Sequence, residues 1–438
     1  PPTGQGGFAG VSVDRQNPNI VVVSTIDRWY PHEEIYRSAN GGTNWTALYA
    51  NATVDRSSAP WASWHNTGPV VQGWTADVKI DPFNSNHVFH VSGGGVYSSF
   101  DFAAAQPSFQ FRSNGIEENA FVNVGTALCS PPSGGPQLFS VLGDMGGFAH
   151  YNLDVSPPDT NYFNPVDSSN SSIDFAELNP NIVVRTYWNG SIRSGLLSTN
   201  AGSAWSDFAT HPAAADANGP GVIAVSADGS RLVWVMAGHS PYYSTNRGAT
   251  WNPCGGNVTP THIWEQPCLC SDRVTPNKFY IYMPSTGVVY VSTNGGATFS
   301  AGPTITAWGD SLHTTYGQEG HVWMAACDGL WRSTNSGASF FQMPGVQAAH
   351  TVGFGRPNGG VGYPVIYLHG QFNNTWGVYR SENQGATWTR INDGQHQFGN
   401  IQQVIGDPKI YGRCYIAAGG RGILYGDLPN PAPVRPPA

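Results

Sequence analysis

The sequence predicts an all-β protein built from β-propellers, and three observations support this prediction. Charged residues make up only 11% of the 438 residues, whereas the chain contains 54 glycines, 33 prolines and 12% aromatic residues. Such a composition is typical of many short strands joined by tight turns. The second observation is a repeated motif and the third is its regular spacing, which together indicate four-stranded blades.

The repeated motif is Ser-x-Asn-x-Gly, followed by Thr or Ser and then an aromatic residue. We expect its Asn side chain to bond the local backbone, its glycine to adopt a positive φ and its hydroxyl groups to satisfy turn amides. The terminal aromatic residue should be buried between neighbouring sheets. Copies of the motif begin at Ser38, Ser198, Ser244, Ser292, Ser333 and Ser381. They resemble Asp-boxes with Asn in place of Asp, and they predict architecture rather than function.

The domain organisation follows from this repeat. The last five copies lie 41 to 48 residues apart, about one blade each, and the interval between Ser38 and Ser198 leaves room for two blades without the motif. The polar segment 112–119 predicts a boundary near residue 115. We therefore predict the last blades of an incomplete first propeller (1–115), a seven-bladed propeller (116–428) and a proline-rich linker or tail (429–438). Two blades cannot close a ring, so we expect the N-terminal propeller portion of the same protein as a partner.

Net charge and sequence motifs limit the possible cellular location and the possible binding partners. The net charge of −8 and the lack of Lys/Arg clusters argue against nucleic acid or an anionic membrane surface and favour a neutral polymer. No apolar stretch reaches 18 residues, so no membrane-spanning segment is expected. Six N-glycosylation sequons suit a secreted, extracellular glycoprotein; their acceptors are Asn44, Asn51, Asn170, Asn189, Asn257 and Asn373.

The cysteines and histidines do not predict a metal site. Six cysteines without C-x-x-C spacing make one or two disulfides plausible and a zinc site implausible. His87 and His90 are three residues apart, which places them on opposite faces of a strand. We therefore expect no metal and no other cofactor.

One candidate catalytic residue, Asp144, stands in the sequence Gly-Asp-Met-Gly-Gly-Phe at residues 143–148. The preceding stretch, 137–142, is β-branched and aromatic, so the carboxylate should lie in a tight turn flanked by glycines. A large ligand can approach such a turn closely, because glycine leaves the backbone uncovered. The alternative is an aspartate whose side chain only caps its own turn, and this segment alone leaves both interpretations open.

Several ordered segments resemble glycoside hydrolase family 74, the xyloglucan hydrolases. Phe398 stands where that family usually has Trp, which is a departure from the pattern. The matching segments are 7–19, 29–31, 81–86, 130–134, 143–150, 385–396, 406–413 and 420–427. The resemblance implies two seven-bladed propellers that face each other across a cleft for a β-1,4-glucan backbone with xylose branches. It also implies inverting cleavage by one Asp from each propeller.

The resemblance assigns Asp144 as the general acid, on the second propeller. It places the general base in a related Asp-x-Gly-Gly turn near the family's N-terminus, upstream of this sequence. Inversion needs one protonated and one ionised carboxyl group, roughly 6.5–9.5 Å apart. We therefore expect this chain to be inactive without the upstream half, and we expect the pKa of Asp144 to be raised.

Aromatic residues outside the repeated motif are candidates for holding neutral sugars. Trp29, Trp188 and Trp264 are preferred, because they lie beside Pro, Asn-Gly or His rather than in alternating strands. The full set is Trp29, Tyr30, Trp61, Trp64, Trp74, Trp188, Trp264, Trp308 and Trp376.

Three alternative functions have different sequence requirements. A non-catalytic Asp-box propeller would bind a glycan or a protein and would tolerate Asp144→Asn. A sialidase would need a group of three arginines, and the basic residues show no such grouping. Residues 309–312 spell Gly-Asp-Ser-Leu, as in one class of esterases, but those enzymes need a strand-to-helix turn on an α/β fold.

Overall fold

The computed structural model describes thirteen stretches of the chain, and these contain β-strands and two single-turn 3-10 helices, Tyr49–Asn51 and Asn358–Gly360. The all-β prediction is therefore confirmed. Within the described stretches, no helix has the length and apolarity needed to cross a bilayer. The stretches are 6–28, 32–59, 75–93, 95–116, 128–143, 146–158, 169–188, 193–212, 221–236, 238–259, 268–306, 309–419 and 421–429.

The chain separates into two compact units. The first comprises residues 1–118, 154–160 and 420–422, and the second comprises 119–153, 161–419 and 423–438. The domain limits predicted from the sequence, 1–115, 116–428 and 429–438, stay predictions.

The first unit contains two sheets, the same number as the blades that the sequence predicts there. One sheet has the order β1-β2-β3-β4, and the other has the order β5-β9-β8-β7-β6 with β5 parallel to β9. Side chains from both sheets share one apolar core. The strands are β1 (Gly7–Val13), β2 (Val21–Ile26), β3 (Ile35–Ser38), β4 (Thr46–Ala47), β5 (Thr53–Asp55), β6 (Asp77–Asp81), β7 (Asn84–Ser92), β8 (Gly95–Ser99) and β9 (Ser108–Phe111).

The second unit contains seven antiparallel sheets, numbered here as blades 1 to 7 in chain order. Blade 1 is β10 (Leu128–Cys129), β11 (Leu138–Leu142) and β12 (Gly146–His150). Blade 2 is β13 (Ser169–Ala176), β14 (Asn179–Trp188), β15 (Arg193–Ser198) and β16 (Ser206–Asp207). Blade 3 is β17 (Val222–Val225), β18 (Leu232–Val235), β19 (Tyr242–Ser244) and β20 (Asn252–Pro253).

The remaining blades follow the same order along the chain. Blade 4 is β21 (Cys268–Ser271), β22 (Phe279–Met283), β23 (Val288–Ser292) and β24 (Ser300–Thr304). Blade 5 is β25 (Gly309–Thr314), β26 (Val322–Ala326), β27 (Gly329–Ser333) and β28 (Phe341–Gln342). Blade 6 is β29 (Val346–Gly355), β30 (Val365–Phe372), β31 (Thr375–Ser381) and β32 (Thr389–Arg390), and blade 7 is β33 (Ile401–Gly406), β34 (Cys414–Ala418) and β35 (Ile423–Gly426).

The seven blades form a closed ring. The first strand of each blade contacts the first strand of the next blade, and β10 of blade 1 contacts β33 of blade 7. The junction between these two blades is polar as well as apolar. The Leu128 backbone N–H donates to Gln403 Oε1 at 2.5 Å, and Lys409 Nζ donates to the carbonyl oxygen of Gln137 at 3.3 Å. The second unit is therefore a seven-bladed β-propeller, as the repeat predicted.

The repeated motif forms the turn that we expected. In the copy at Ser198, the Ser198 hydroxyl accepts from the Gly202 N–H at 2.8 Å, and Asn200 Oδ1 accepts from the Ala204 N–H at 2.9 Å. Gly202 has φ 82°, and the residue before it, Ala201, has φ 56°. The two consecutive left-handed residues explain why glycine occupies the second of these positions.

The motif glycines have a second role at the boundaries between blades. A Cβ atom on Gly202 would lie 2.4 Å from the Phe139 ring of blade 1, and one on Gly248 would lie 2.4 Å from the Phe208 ring. The terminal aromatic residues are less buried than expected. Phe299 is only 3% exposed, but the others are partly exposed: Trp45, Trp205, Trp251, Phe340 and Trp388.

The expectation of one or two disulfides is wrong. Cys129, Cys254, Cys270, Cys327 and Cys414 are all free thiols. Each of the five lies in a different blade, so the ring holds them apart and the interior keeps several of them as apolar packing groups. Burial raises the pKa of both Cys254 and Cys414 to about 12.

One predicted glycan acceptor is incompatible with the fold. Asn170 is 1% exposed, and its Oδ1 accepts from Arg185 Nη1 at 2.6 Å. Asn189 lies outside the described residues, and the remaining acceptors are exposed: Asn44, Asn51, Asn257 and Asn373.

Candidate active site

Each blade of the closed propeller has two ends, and the end carrying the turn between its second and third strands is called the hairpin end here. In blade 1 this end is marked by the pair Leu142 and Gly146, and in blade 6 by the pair Phe372 and Thr375. Because strands alternate in direction, the first strand of every blade also begins at this end.

The blade 1 hairpin end holds the segment that the sequence singled out. Leu142 pairs with Gly146, and Gly146 and Gly147 have φ values of 74° and 139°. Only glycine adopts the second of these readily. Asp144 itself lies outside the described residues, so its role as general acid stays a prediction.

A buried cation lies at the boundary between blades 1 and 2. Arg185 of β14 is fully buried, donates to Asn170 and lies with its guanidinium carbon 4.8 Å from the Trp205 ring centre. Trp205 also contacts Phe139 of blade 1 at a ring distance of 6.4 Å. Burial lowers the pKa of Arg185 to about 9. At neutral pH it therefore still brings a positive charge to the boundary between blades 1 and 2.

Trp188 is the one preferred tryptophan that the structure describes. It is the last residue of β14, at the hairpin end of blade 2, where it pairs with Ser169 and Arg193. Its side chain is partly exposed. Trp29 and Trp264 lie outside the described residues.

Extra residues interrupt the first strands near the hairpin end. In blade 5, Gly309 and Ser311 pair with the successive residues Ala326 and Ala325, so Asp310 has no opposite residue. The same irregularity leaves Ser171 in blade 2, His350 in blade 6 and Gln402 in blade 7 without an opposite residue. Such β-bulges redirect side chains and recur beside active sites.

Two of these residues belong to a group of four side chains, called the blade 5–6 cluster here: Asp310, His350, His369 and Trp376. The ring centre of His350 lies 4.8 Å from that of Trp376 and 5.2 Å from that of His369. The ring centres of His369 and Trp376 are 5.5 Å apart. Asp310 lies within electrostatic range of His350, and loss of hydration raises its pKa.

A polar cavity of about 110 Å³ lies near the ends of the first strands, away from the hairpin ends of the blades. It is lined by residues at the ends of the first strands and just beyond them, among them Asp174, Glu177 and Arg273. Arg273 Nη2 lies 2.7 Å from Asp174 Oδ1. Since the Asp144 hairpin is at the other end, this cavity is not part of the predicted catalytic site.

Comparison with known proteins identifies the family. No protein-family model matches the chain. A xyloglucanase of Paenibacillus sp is 37% identical over 96% of this chain and 43% of its own length. An oligoxyloglucan-reducing end-specific xyloglucanase of Emericella nidulans is 31% identical over 97% of this chain and 60% of its own length. The crystal structure of a GH74 xyloglucanase from Xanthomonas campestris matches with a TM-score of 0.80 at 32% identity, covering 98% of this chain and 60% of that chain.

The chain belongs to glycoside hydrolase family 74. It spans about half the length of the curated relatives it matches. A second solved family 74 enzyme, from Niastella koreensis, matches with a TM-score of 0.77 at 32% identity over 95% of this chain. The resemblance read from the sequence segments is therefore confirmed.

Sequence reasoning missed the blade 5–6 cluster. Asp310 was considered only within the esterase-like segment 309–312, which the structure places in β25 rather than at a strand-to-helix turn. Trp376 follows Asn373 and Asn374, which have φ values of 48° and 62°. An Asn-Asn pair before a strand is a signal for a two-residue hairpin turn, and it could have placed Trp376 beside a turn equivalent to that of Asp144.

Proposed function

We propose that the complete protein is an inverting glycoside hydrolase that cleaves the β-1,4-glucan backbone of xyloglucan or its oligosaccharides. The observation that carries this proposal is the match to a GH74 xyloglucanase over 98% of the chain at a TM-score of 0.80. The net charge of −8 and the absence of basic clusters suit a neutral polysaccharide. A polymeric substrate of this kind is degraded outside the cell, so the protein is secreted.

Asp144 acts as the general acid in this proposal. It donates a proton to the oxygen of the departing sugar while a second carboxylate activates water on the opposite face of the ring. The second carboxylate, the general base, belongs to the N-terminal propeller portion of the same protein. In this proposal, cleavage needs the carboxylates of both portions together.

The surface of the first unit supports the proposed N-terminal portion. Phe8, Val11 and Val13 of β1, the first strand of its blade, are 50%, 58% and 54% exposed. In the closed propeller, by contrast, the first strand of blade 3, β17, is buried at every residue. Further blades that pack against β1 would cover these apolar side chains.

Trp29, Trp188 and Trp264 are proposed to hold sugar rings of the substrate. Carbohydrate sites combine aromatic surfaces with a few polar groups that set orientation. The partly exposed position of Trp188 at a hairpin end supports its role, since the Asp144 segment is at the same end of the propeller.

The test is reducing-sugar release from xyloglucan by the protein with its N-terminal portion, compared with Asp144→Asn. Asp228→Asn is a matched control, because Asp228 caps its own turn by accepting from the Ser226 hydroxyl at 2.7 Å and the Ser230 N–H at 3.0 Å. We expect release by the wild type and by Asp228→Asn, and a loss of at least about a hundredfold in Asp144→Asn. Binding without cleavage by all three proteins would instead identify a non-catalytic glycan-binding propeller.

A further inference from the structure

The blade 5–6 cluster has the composition of a saccharide site. Among the tryptophans that the structure describes, Trp376 is the most exposed, at 38%. It is not part of the repeated motif, and it packs against two histidine rings rather than into an apolar cluster. An aromatic face bordered by imidazole and carboxylate groups provides both stacking and hydrogen bonds.

The strand geometry explains how four residues from two blades come together. His350, His369 and Trp376 lie on the neighbouring strands β29, β30 and β31 of blade 6, while Asp310 lies on β25 of the preceding blade. Asp310 and His350 are both bulge residues at the hairpin end. The hydroxyl group of Ser311 donates to the carbonyl oxygen of His350 at 3.2 Å, which ties the two bulged strands together.

His369 keeps hydrogen-bonding capacity within the cluster. His369 is 8% exposed, and its Nδ1 has no hydrogen-bond partner within the described ranges. Burial lowers the pKa of His369 to about 4, so the ring is neutral above that pH. A neutral imidazole can donate or accept, which suits a sugar hydroxyl.

We propose that Trp376, with His350, His369 and Asp310, forms a subsite for a neutral pyranose ring of the polysaccharide. Trp376 stacks on the ring, and the histidines and Asp310 bond its hydroxyls. The subsite lies at the same end of the propeller as the Asp144 hairpin, so it extends the binding surface towards blades 5 and 6. This inference rests on the proposed function, and it names an additional binding group for the same substrate.

Trp376→Ala in the protein with its N-terminal portion is the decisive variant, and Trp376→Phe keeps part of the stacking surface. The matched control is Tyr425→Ala. Tyr425 is also 38% exposed, but it pairs with Tyr415 near the start of β34, at the opposite end of blade 7. Steady-state cleavage gives KM and kcat, and titration calorimetry on xyloglucan oligosaccharides gives Kd.

We expect Trp376→Ala to raise KM and Kd about tenfold, since aromatic contacts contribute about that factor. Trp376→Phe should have a smaller effect, and Tyr425→Ala should have none. The melting temperature and kcat should change little. Repeating the titration with cello-oligosaccharides separates the two sources of a pyranose ring: an equal loss identifies a backbone glucose, and a loss only with branched ligands identifies a xylose branch.

The two possible failures give different results. If the wild type cleaves xyloglucan and Trp376→Ala leaves both KM and Kd unchanged, the subsite is wrong and the proposed function stands. If the wild type neither cleaves nor binds xyloglucan, the proposed function fails and the subsite fails with it.

Discussion

Replacing Glu177 by Gln should stabilise the protein at neutral pH. Glu177 borders the polar cavity near the ends of the first strands. Burial raises the pKa of Glu177 from its ordinary value of 4.5 to about 7, and nearby Asp174 adds to the increase while Arg273 opposes it. The folded protein therefore holds a proton on Glu177 at pH values where the unfolded chain has released it.

The direction of the pH effect follows from this difference. Below pH 4.5 Glu177 is protonated in both the folded and the unfolded state, so it does not lower the free energy of unfolding. Between pH 4.5 and about 7 the unfolded state ionises first, and the free energy of unfolding falls as pH rises. A displacement from 4.5 to about 7 corresponds to a loss of about 3 kcal/mol as an upper limit, which persists above pH 7. The side chain of Gln does not ionise in this pH range, so Glu177→Gln should avoid this loss of stability.

The assay is urea unfolding of wild type and Glu177→Gln at several pH values from 4 to 8. His313 lines the same cavity, and burial lowers its pKa to about 4, which makes stability rise between pH 4 and 6.5. The contribution of His313 is common to both proteins, so it cancels when their free energies of unfolding are subtracted. We expect a difference near zero at pH 4 that grows to as much as about 3 kcal/mol at pH 8. A difference that stays constant across this range would refute the reasoning.

Two further predictions concern the scaffold and the thiols. Gly248→Ala should lower the free energy of unfolding by about 2–4 kcal/mol, because Gly248 has φ 83° and an added Cβ would lie 2.4 Å from Phe208. Thermal unfolding measures this loss. The control is Gly394→Ala, which should change the stability little because an added Cβ would meet open space there. If both variants were equally stable, the second role given to the motif glycines would be wrong. Cys327 is exposed whereas Cys129 and Cys414 are buried. A thiol reagent should therefore label Cys327 faster than the buried thiols in the native protein, and Cys327→Ser should remove that fast phase. Equal labelling rates in the wild type and in Cys327→Ser would contradict the assigned exposure.

The sequence was sufficient to predict the propeller because its signals are local and repeated. Each motif turn is closed by bonds between residues two to four positions apart, as in the contacts of Ser198 with Asn200 and Gly202. The expectation of one or two disulfides was wrong because disulfide formation depends on which cysteines the fold brings together, and the five free thiols occupy five different blades.

The candidate site was only partly predictable for a related reason. Asp144 stands out in the sequence because glycines flank it. Asp310 and His350 do not stand out, since a β-bulge is a property of the register between two strands and cannot be read from one strand alone. Trp376 was among the candidate aromatic residues but was not preferred, because preference went to tryptophans beside Pro, Asn-Gly or His. Its exposure follows from its position next to the Asn373–Asn374 turn.

The measurement that tests the central claim most directly compares two substrates in the protein with its N-terminal portion. One is a xyloglucan oligosaccharide, and the other carries a dinitrophenyl leaving group that departs without protonation. If Asp144 is the general acid, Asp144→Asn should lower kcat/KM for the oligosaccharide by about a hundredfold or more and for the dinitrophenyl substrate far less. Equal losses on both substrates, or no loss on either, would contradict the assignment of Asp144 as the acid.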